Sequence, residues 1–134
     1  MYIIVVGGGE TARYLASMSL ENGHKVAIIE KDSDCAQKIL QEFDVEVFQA
    51  DIAKGGILEE ADVDRADAII ATTKDDSANL MTMFLGKKHN VKNLVSMVID
   101  REHKNMFEGL GVQVLTDPKR LIAGKLLSML DEKK

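Results

Sequence analysis

The chain has no tryptophan, one proline and one cysteine, and aromatic residues make up only 4% of its 134 residues. With Cys35 alone in "KDSDCAQKIL", no intramolecular disulfide can form and no two-cysteine metal site can be drawn. Such cysteine usage suits a reducing compartment. Basic clustering is missing too. The net charge is −5, and apart from "KKH" at Lys87 to His89, which reads as a solvated helix end, Lys and Arg are scattered among acids. Affinity for a phosphate backbone needs clustered cations, so no nucleic-acid partner is expected. Long hydrophobic runs are lacking as well. "YIIVV" near the N-terminus is too short for a signal sequence or a membrane span, and no charged segment precedes it. The chain is therefore expected to be cytoplasmic, without direct membrane insertion.

What is present is the composition of a folded domain: 46% hydrophobic and 29% charged residues in a length that fits one core. Strand-like and helical stretches alternate throughout. "YIIVV" is a strand closed by three glycines, and "ETARYLASMSLEN" places Ala12, Leu15, Ala16, Met18 and Ser19 on one side of a helix that Gly23 ends. "KVAIIE" is a second strand, "DSDCAQKILQEF" a helix capped by Asp32 or Ser33, and "VEVFQA" a third strand. "IAKGGILEEADVDR" is too short and glycine-broken for more than a brief helix. "DAIIAT", "NLVSMVI" and "VQVLT" are strands four to six, separated by helices in "DSANLMTMFLGKKH" and "REHKNMFEGL". "DPKRLIAGKLLSML" is a last helix with Asp117 as N-cap and Pro118 at its first position. Apolar runs without polar alternation mean buried parallel strands. The expected architecture is α/β: a doubly wound, Rossmann-like six-stranded parallel sheet with helices on both faces, one domain over residues 1–134.

The turn "GGGETA" carries the first functional signal. Gly7 makes the tight turn after the first strand, Gly9 lets the backbone approach a pyrophosphate, and Ala12 stands where the third residue of the pattern allows a close crossing of helix and strand. Phosphates would sit on the free N–H groups of the helix N-terminus. A glycine-rich turn alone is a weak signal, but Glu30 ends the second strand at the offset of the acid that binds the adenosine ribose hydroxyls. A carboxylate there repels a 2′-phosphate, which favours NAD(H) or an adenine nucleotide (AMP, ADP or ATP) and disfavours NADP. Asp51 projects at the carboxyl edge of the third strand, either as a contact to the adenine amino group or as a cap for the segment after it. Thr72 and Thr73 end the fourth strand near the far half of a dinucleotide, or are ordinary turn residues. Glu10, Thr11, Lys31 and Ile52 flank these positions and complete the expected contact set.

Together "YIIVVGGGETARYLA", "HKVAIIEKD", "VFQADIAKGGILEEADVDRADAIIATTKDDSANLM" and "FEGLGVQVLTDP" resemble the TrkA-N or KTN domain, the nucleotide-binding half of RCK regulators of potassium channels and transporters. The resemblance runs from about Tyr2 to Leu130. It implies binding of NAD(H) or an adenine nucleotide, a homodimer or higher homo-oligomer formed partly through the last helix, and attachment to a membrane potassium channel or transporter subunit whose gating follows the ligand. It adds Asn79, paired with Thr73 in the pattern after the fourth strand, to the site. Two positions depart from the family. Glu10 stands where many members have an arginine, which some use to reach the terminal phosphate of a nucleotide in a neighbouring subunit, and Met97 stands where many have an arginine on the fifth strand. The ion-binding half of longer members lies outside these residues.

Other functions fit less well. An NAD-dependent oxidoreductase needs a substrate site and an acid or base facing the nicotinamide, yet the six units use the whole chain, Tyr2 and Tyr14 share the first unit, and His24, His89 and His103 are widely separated. A phosphoacceptor receiver would need metal-binding acids where Gly7 to Gly9 stand. "DVDRAD" lacks calcium-loop spacing and reads as a solvated turn. Met81, Met83, Met97, Met106 and Met129 read as core or interface filling. Leu121, Ile122, Leu126, Leu127 and Leu130 give the last helix a broad apolar face, expected to pack partly on the sheet and partly on a second copy. A nucleotide-free assembly module remains the alternative to a sensor.

Overall fold

The five residues of the first strand, β1 (Tyr2–Val6), show why the sheet forms: side chains alternate between its faces, and Ile3, Ile4, Val5 and Val6 are all buried. Ile4 and Val6 enter one core with Ile69, Met83 and Phe107, while Ile3 and Val5 enter the other with Ala12, Ala16 and Ile39. A strand buried on both faces has no use for polar alternation, which accounts for the uninterrupted apolar run. Burial of each such Val or Ile contributes about 1.5–3 kcal/mol.

In the computed structural model, which describes residues 1–131, β1 is central. It is followed by α1 (Glu10–Glu21), β2 (Lys25–Glu30), α2 (Ser33–Glu42), β3 (Glu46–Gln49), α3 (Ile57–Glu60), β4 (Ala68–Ala71), α4 (Asp76–Lys88), β5 (Asn93–Val98), α5 (Lys104–Glu108), β6 (Gln113–Thr116) and α6 (Pro118–Asp131). The strand order is β3-β2-β1-β4-β5-β6 and every pair is parallel. The order reverses between β1 and β4, so a crevice opens at their carboxyl ends, where such sheets bind ligands. α1 and α2 cover one face; α3, α4 and α5 cover the other.

Local signals act as expected. Asp32 caps α2 by accepting from the Cys35 amide at 2.9 Å. Gly23, at φ +80°, ends α1: its N–H reaches Leu20 O and the His24 N–H reaches Ser19 O, both at 3.0 Å. The stretch between β3 and β4 contains the four-residue α3 between two single 3-10 turns, and it buries Ile52, Leu58 and Val63 against the sheet. The acids of "DVDRAD" face solvent, with Asp62 3.4 Å from Arg65.

Two expectations are corrected. Met18 is 61% exposed, because at helical spacing it falls off the stripe formed by Ala12, Ala16 and Ser19. More consequentially, no residue of α6 is buried; Leu121, Ile122, Leu126, Leu127 and Leu130 are all exposed. The last helix does not pack on the sheet, whose faces the preceding helices already cover.

Candidate functional site

The loop between β1 and α1 uses its three glycines for three different reasons. Gly7 adopts φ +112°, and a Cβ there would stand 2.6 Å from Thr72 Oγ1. Its amide donates to Ile29 O at 2.8 Å, which ties the turn to β2. Gly8 is buried, and a Cβ would approach Ile39 Cδ1 at 2.7 Å and Cys35 Sγ at 3.2 Å. Gly9 has ordinary extended backbone, is exposed, and has nothing within 4 Å of the position of a Cβ. The fold requires the first two glycines. Only space in front of the loop calls for the third.

Gly8 is clamped on both sides. Its amide donates to Glu30 Oε1 at 3.2 Å, and its carbonyl accepts from the Cys35 thiol at 2.9 Å. Because a trans peptide holds C=O and N–H antiparallel, a Gly8 carbonyl turned toward α2 leaves the Gly9 N–H pointing the other way, into the crevice. Behind it the N-terminus of α1 is bare. Asp32 and Asp75 cap α2 and α4, whereas Gly9 caps α1 without a side chain. The first intrahelical bond of α1 is Arg13 N–H to Gly9 O at 3.0 Å, so the amides of Glu10, Thr11 and Ala12 precede the ladder. These amides and the positive end of the helix dipole make a seat for an anion. The Glu10 and Thr11 side chains are exposed beside it, and Ala12 is buried against the sheet as its packing role requires.

Glu30, at the end of β2, accepts from the Gly8 amide with one oxygen and from the Lys31 amide with the other at 2.9 Å. Both oxygens retain lone pairs for further donors. Burial, and next the nearby Glu30 carboxylate, push the Cys35 thiol above its usual pKa, so it stays protonated and can donate to Gly8.

Beyond β2 and β3 a cleft of about 520 Å³ is lined by Lys31, Gln49, Asp51, Lys54, Ile57 and Glu60. Asp51 caps the 3-10 turn Ile52–Lys54, accepting from the Ala53 amide at 2.9 Å, and also borders this cleft. Its two readings are therefore compatible. The Ile52 side chain is buried in the core, leaving its backbone at the edge.

On the other side of β1, the Thr72 hydroxyl donates to Val6 O at 3.1 Å and fits beneath Gly7. Thr73 is held by Asn79, whose Oδ1 accepts from the Thr73 amide at 3.2 Å and hydroxyl at 2.6 Å. Asn79 Nδ2 donates to Thr73 O and Met97 O, each at 3.0 Å. Asn79 is fully buried with these partners, so it shapes the crevice edge from behind. One turn earlier, Asp76 ties α4 to the segment after β5, accepting from the Ile99 and Asp100 amides at 2.7 and 2.9 Å and meeting His103 Nδ1 at 2.8 Å.

Sequence reasoning missed Gly8, Cys35, Lys54 and Asp76. The run of three glycines was the available signal for Gly8, and the acid three residues before Asn79 in the pattern after the fourth strand was the signal for Asp76. Nothing local marks Cys35 or Lys54, because both meet the site only through the fold. The histidines stand away from the loop: His24 on the N-terminal amine, His89 between Glu59 and Asp64, His103 on Asp76.

The sequence model of the TrkA-N domain matches residues 3–118. The chain is 28% identical over 134 residues to the Trk system potassium uptake protein TrkA homolog of Methanothermobacter thermautotrophicus, covering 100% of this chain and 62% of that protein. Among solved structures it is similar to Kef CTD of Shewanella denitrificans in AMP-bound form, with a TM-score of 0.79, 20% identity, and coverage of 97% of this chain and 82% of that one. It is likewise similar to the GsuK channel bound to NAD, with a TM-score of 0.76, 18% identity, and coverage of 85% and 21%. These structural likenesses establish the fold. The chain spans less than two thirds of the length of the curated relatives it matches first.

Proposed function

The chain belongs to the TrkA-N domain family, and from that premise we propose that it is a nucleotide-sensing regulatory unit of a potassium channel or transporter, taking NAD(H) or an adenine nucleotide into the crevice between β1, β2 and β4. The observation that carries this reading is the uncapped N-terminus of α1 behind an open Gly9, with the Glu30 carboxylate beside it. The phosphates sit on the N–H groups of Gly9 to Ala12, each such charge-assisted bond contributing about 1.5–3 kcal/mol. The ribose hydroxyls donate to Glu30, and the adenine enters the cleft bordered by Asp51 and Lys31. The far half of a dinucleotide runs toward Thr72 and Thr73.

The chain's carboxylates set its selectivity. A 2′-phosphate beside Glu30 meets a like charge worth about 4 kcal/mol at 4 Å in a partly solvated site, which disfavours NADP. Glu10, exposed at the first position of α1, acts in the same direction on a third phosphate and makes ATP the weakest of the adenine nucleotides. AMP and NAD appear in the names of two structural neighbours, which supports this ligand class.

The mechanism needs no bond-breaking. A ligand that binds one arrangement of the assembly better than another shifts their populations by its difference in affinity. Relatives named as potassium uptake proteins support this reading over an oxidoreductase, as does the engagement of all three histidines away from the phosphate loop. The exposed apolar face of α6 supports a homodimer or higher homo-oligomer docked beneath a membrane subunit. Among the described residues no helix is long and apolar enough to cross a membrane.

Isothermal titration of nucleotide-stripped protein with NAD, NADH, AMP, ADP and ATP, with NADP as control, tests the proposal. Gly9→Asp puts a carboxylate where the phosphates sit, at a position where the fold leaves room, and abolishes binding without unfolding the chain. Undiminished affinity in Gly9→Asp removes the phosphate-loop assignment, and absence of binding to every nucleotide leaves the assembly module as the better reading.

A further inference from the structure

The segment joining β5 to α5 is held at both ends by charged side chains. On one side Asp76, from the first turn of α4, accepts from Ile99 and Asp100 and meets His103. Its side chain is only 10% exposed, so this end is anchored firmly. On the other side Arg101 Nε lies 2.8 Å from Asp117 Oδ2. Asp117 is the single residue between β6 and α6, and it adopts φ +50°. Aspartate enters the left-handed region more readily than most side chains but still at a cost, which its surroundings help to offset. The following Pro118 removes further freedom from the same joint. Asp117 O in turn accepts the first amides of α6, from Arg120 at 2.9 Å and Leu121 at 3.2 Å. A strained joint therefore carries a helix with no buried residue, and Arg101 is what the joint leans on.

We infer that residues 99–103 form a strut that couples the far wall of the crevice to the direction of α6, with Arg101 as the positioning residue at the hinge. Asp76 and Asn79 stand one turn apart on α4, and Asn79 fixes Thr73 and Met97 at the crevice edge. A displacement of Thr73 by a ligand reaches the N-terminus of α4, passes through Asp76 and His103 to the strut, and reaches Asp117 through Arg101. Release of Arg101 frees Asp117 to leave the left-handed region and re-aims α6. This inference rests on the proposed nucleotide site for its ligand, but the mechanical coupling is a property of the empty chain.

The test is amide hydrogen exchange on the full chain, read at Arg120 and Leu121. Without nucleotide, Arg101→Gln raises exchange there about threefold, the scale of a solvent-exposed ion pair. His103→Ala raises it at the same amides although it lies outside α6, and the double variant exchanges no faster than Arg101→Gln alone. Asp117→Asn, which tolerates the left-handed region but loses the charge, matches Arg101→Gln. Additive single variants, or α6 amides indifferent to either, overturn the strut. With saturating NAD or AMP, α6 exchange changes in the wild type and not in Arg101→Gln, whose nucleotide affinity by titration stays measurable and shifts by no more than about threefold, as reciprocal linkage requires. Nucleotide that binds and leaves α6 exchange unchanged in the wild type overturns the link to the crevice. Absence of nucleotide binding defeats the functional proposal instead, and the strut then stands or falls on the ligand-free comparison.

Discussion

The Cys35 thiol lies 2.9 Å from the Gly8 carbonyl oxygen, reaching from the first turn of α2 into the loop that precedes α1. The contact fixes the Gly8–Gly9 peptide with its carbonyl inward and its N–H outward, and Glu30 holds the preceding amide of the same glycine. A residue outside the proposed phosphate seat thereby aims a group inside it.

Removal of that donor frees the peptide to turn. Cys35→Ala is expected to weaken AMP and NAD about fivefold, the worth of one ordinary hydrogen bond, while the weaker affinity for adenosine, which has no phosphate, stays unchanged. Cys35→Ser restores the donor and most of the affinity. Titration of the three proteins with AMP and adenosine checks this; equal losses for both ligands would mean that Cys35 serves packing alone.

The glycines separate stability from binding. Gly8→Ala drives a methyl group into Ile39 and Cys35 and is expected to cost about 1–3 kcal/mol. Gly9→Ala has room and an ordinary backbone, so its urea midpoint should match the wild type while nucleotide affinity falls. Denaturation and titration on the same samples distinguish the two roles, and a destabilised Gly9→Ala would contradict the open space in front of the loop.

The inner strands β1, β2 and β4 were legible because each is an apolar run buried on both faces, whereas the edge strands β3 and β6, which bury no residue, were legible from their place in the alternation of strands and helices. The places of Gly7, Gly9, Ala12 and Glu30 were legible for a related reason: they follow from position along the chain, after β1 and at the end of β2. Cys35 and Lys54 were not, since each meets its partners only when separate βα units are brought side by side. α6 was misjudged on a different ground. A broad apolar face says that something covers the helix, and the sequence does not say that this sheet is already covered.

In the proposed site, Glu30 is the group that would choose at the ribose. Glu30→Gln keeps an acceptor and removes the charge, so NADP, disfavoured in the wild type, should gain at least about tenfold relative to NAD. Some stability should be lost as well, because the Gly8 and Lys31 amides give up a charged partner. Competitive titration of NAD against NADP reads the ratio, and an unchanged ratio would place the ribose elsewhere.

The exposed face of α6 predicts self-association. Leu126→Glu, at a side chain 61% exposed, should convert a dimer to a monomer in sedimentation without moving the urea midpoint of the domain core. A wild type that sediments as a monomer at every accessible concentration would count against the proposed assembly.

The Asp76–His103 pair makes stability depend on pH in two directions. The hydrogen bond that His103 donates to Asp76 raises the His103 pKa against the opposing effect of desolvation. A raised histidine contributes fully below its ordinary value, and the contribution is lost as pH climbs through the folded-state value. For Asp76 burial pushes upward, but the Ile99 and Asp100 amides and His103 outweigh it and hold the carboxyl below its usual range. A lowered carboxylate contributes above its ordinary value, and that stability disappears as pH falls through the folded value. The pair therefore holds the segment after β5 best between the two folded values, and it loosens on the alkaline side through His103 and on the acid side through Asp76. Urea midpoints measured from mildly acid to mildly alkaline pH should decline at the alkaline end in the wild type, and His103→Ala should remove that decline while leaving the acid limb in place. Asp100 and Glu102 also face His103 and reinforce its charge, so Asp100→Asn should shift the alkaline limb toward lower pH without abolishing it. A wild-type profile flat across the neutral to alkaline range would show that the imidazole charge plays no part in holding the loop.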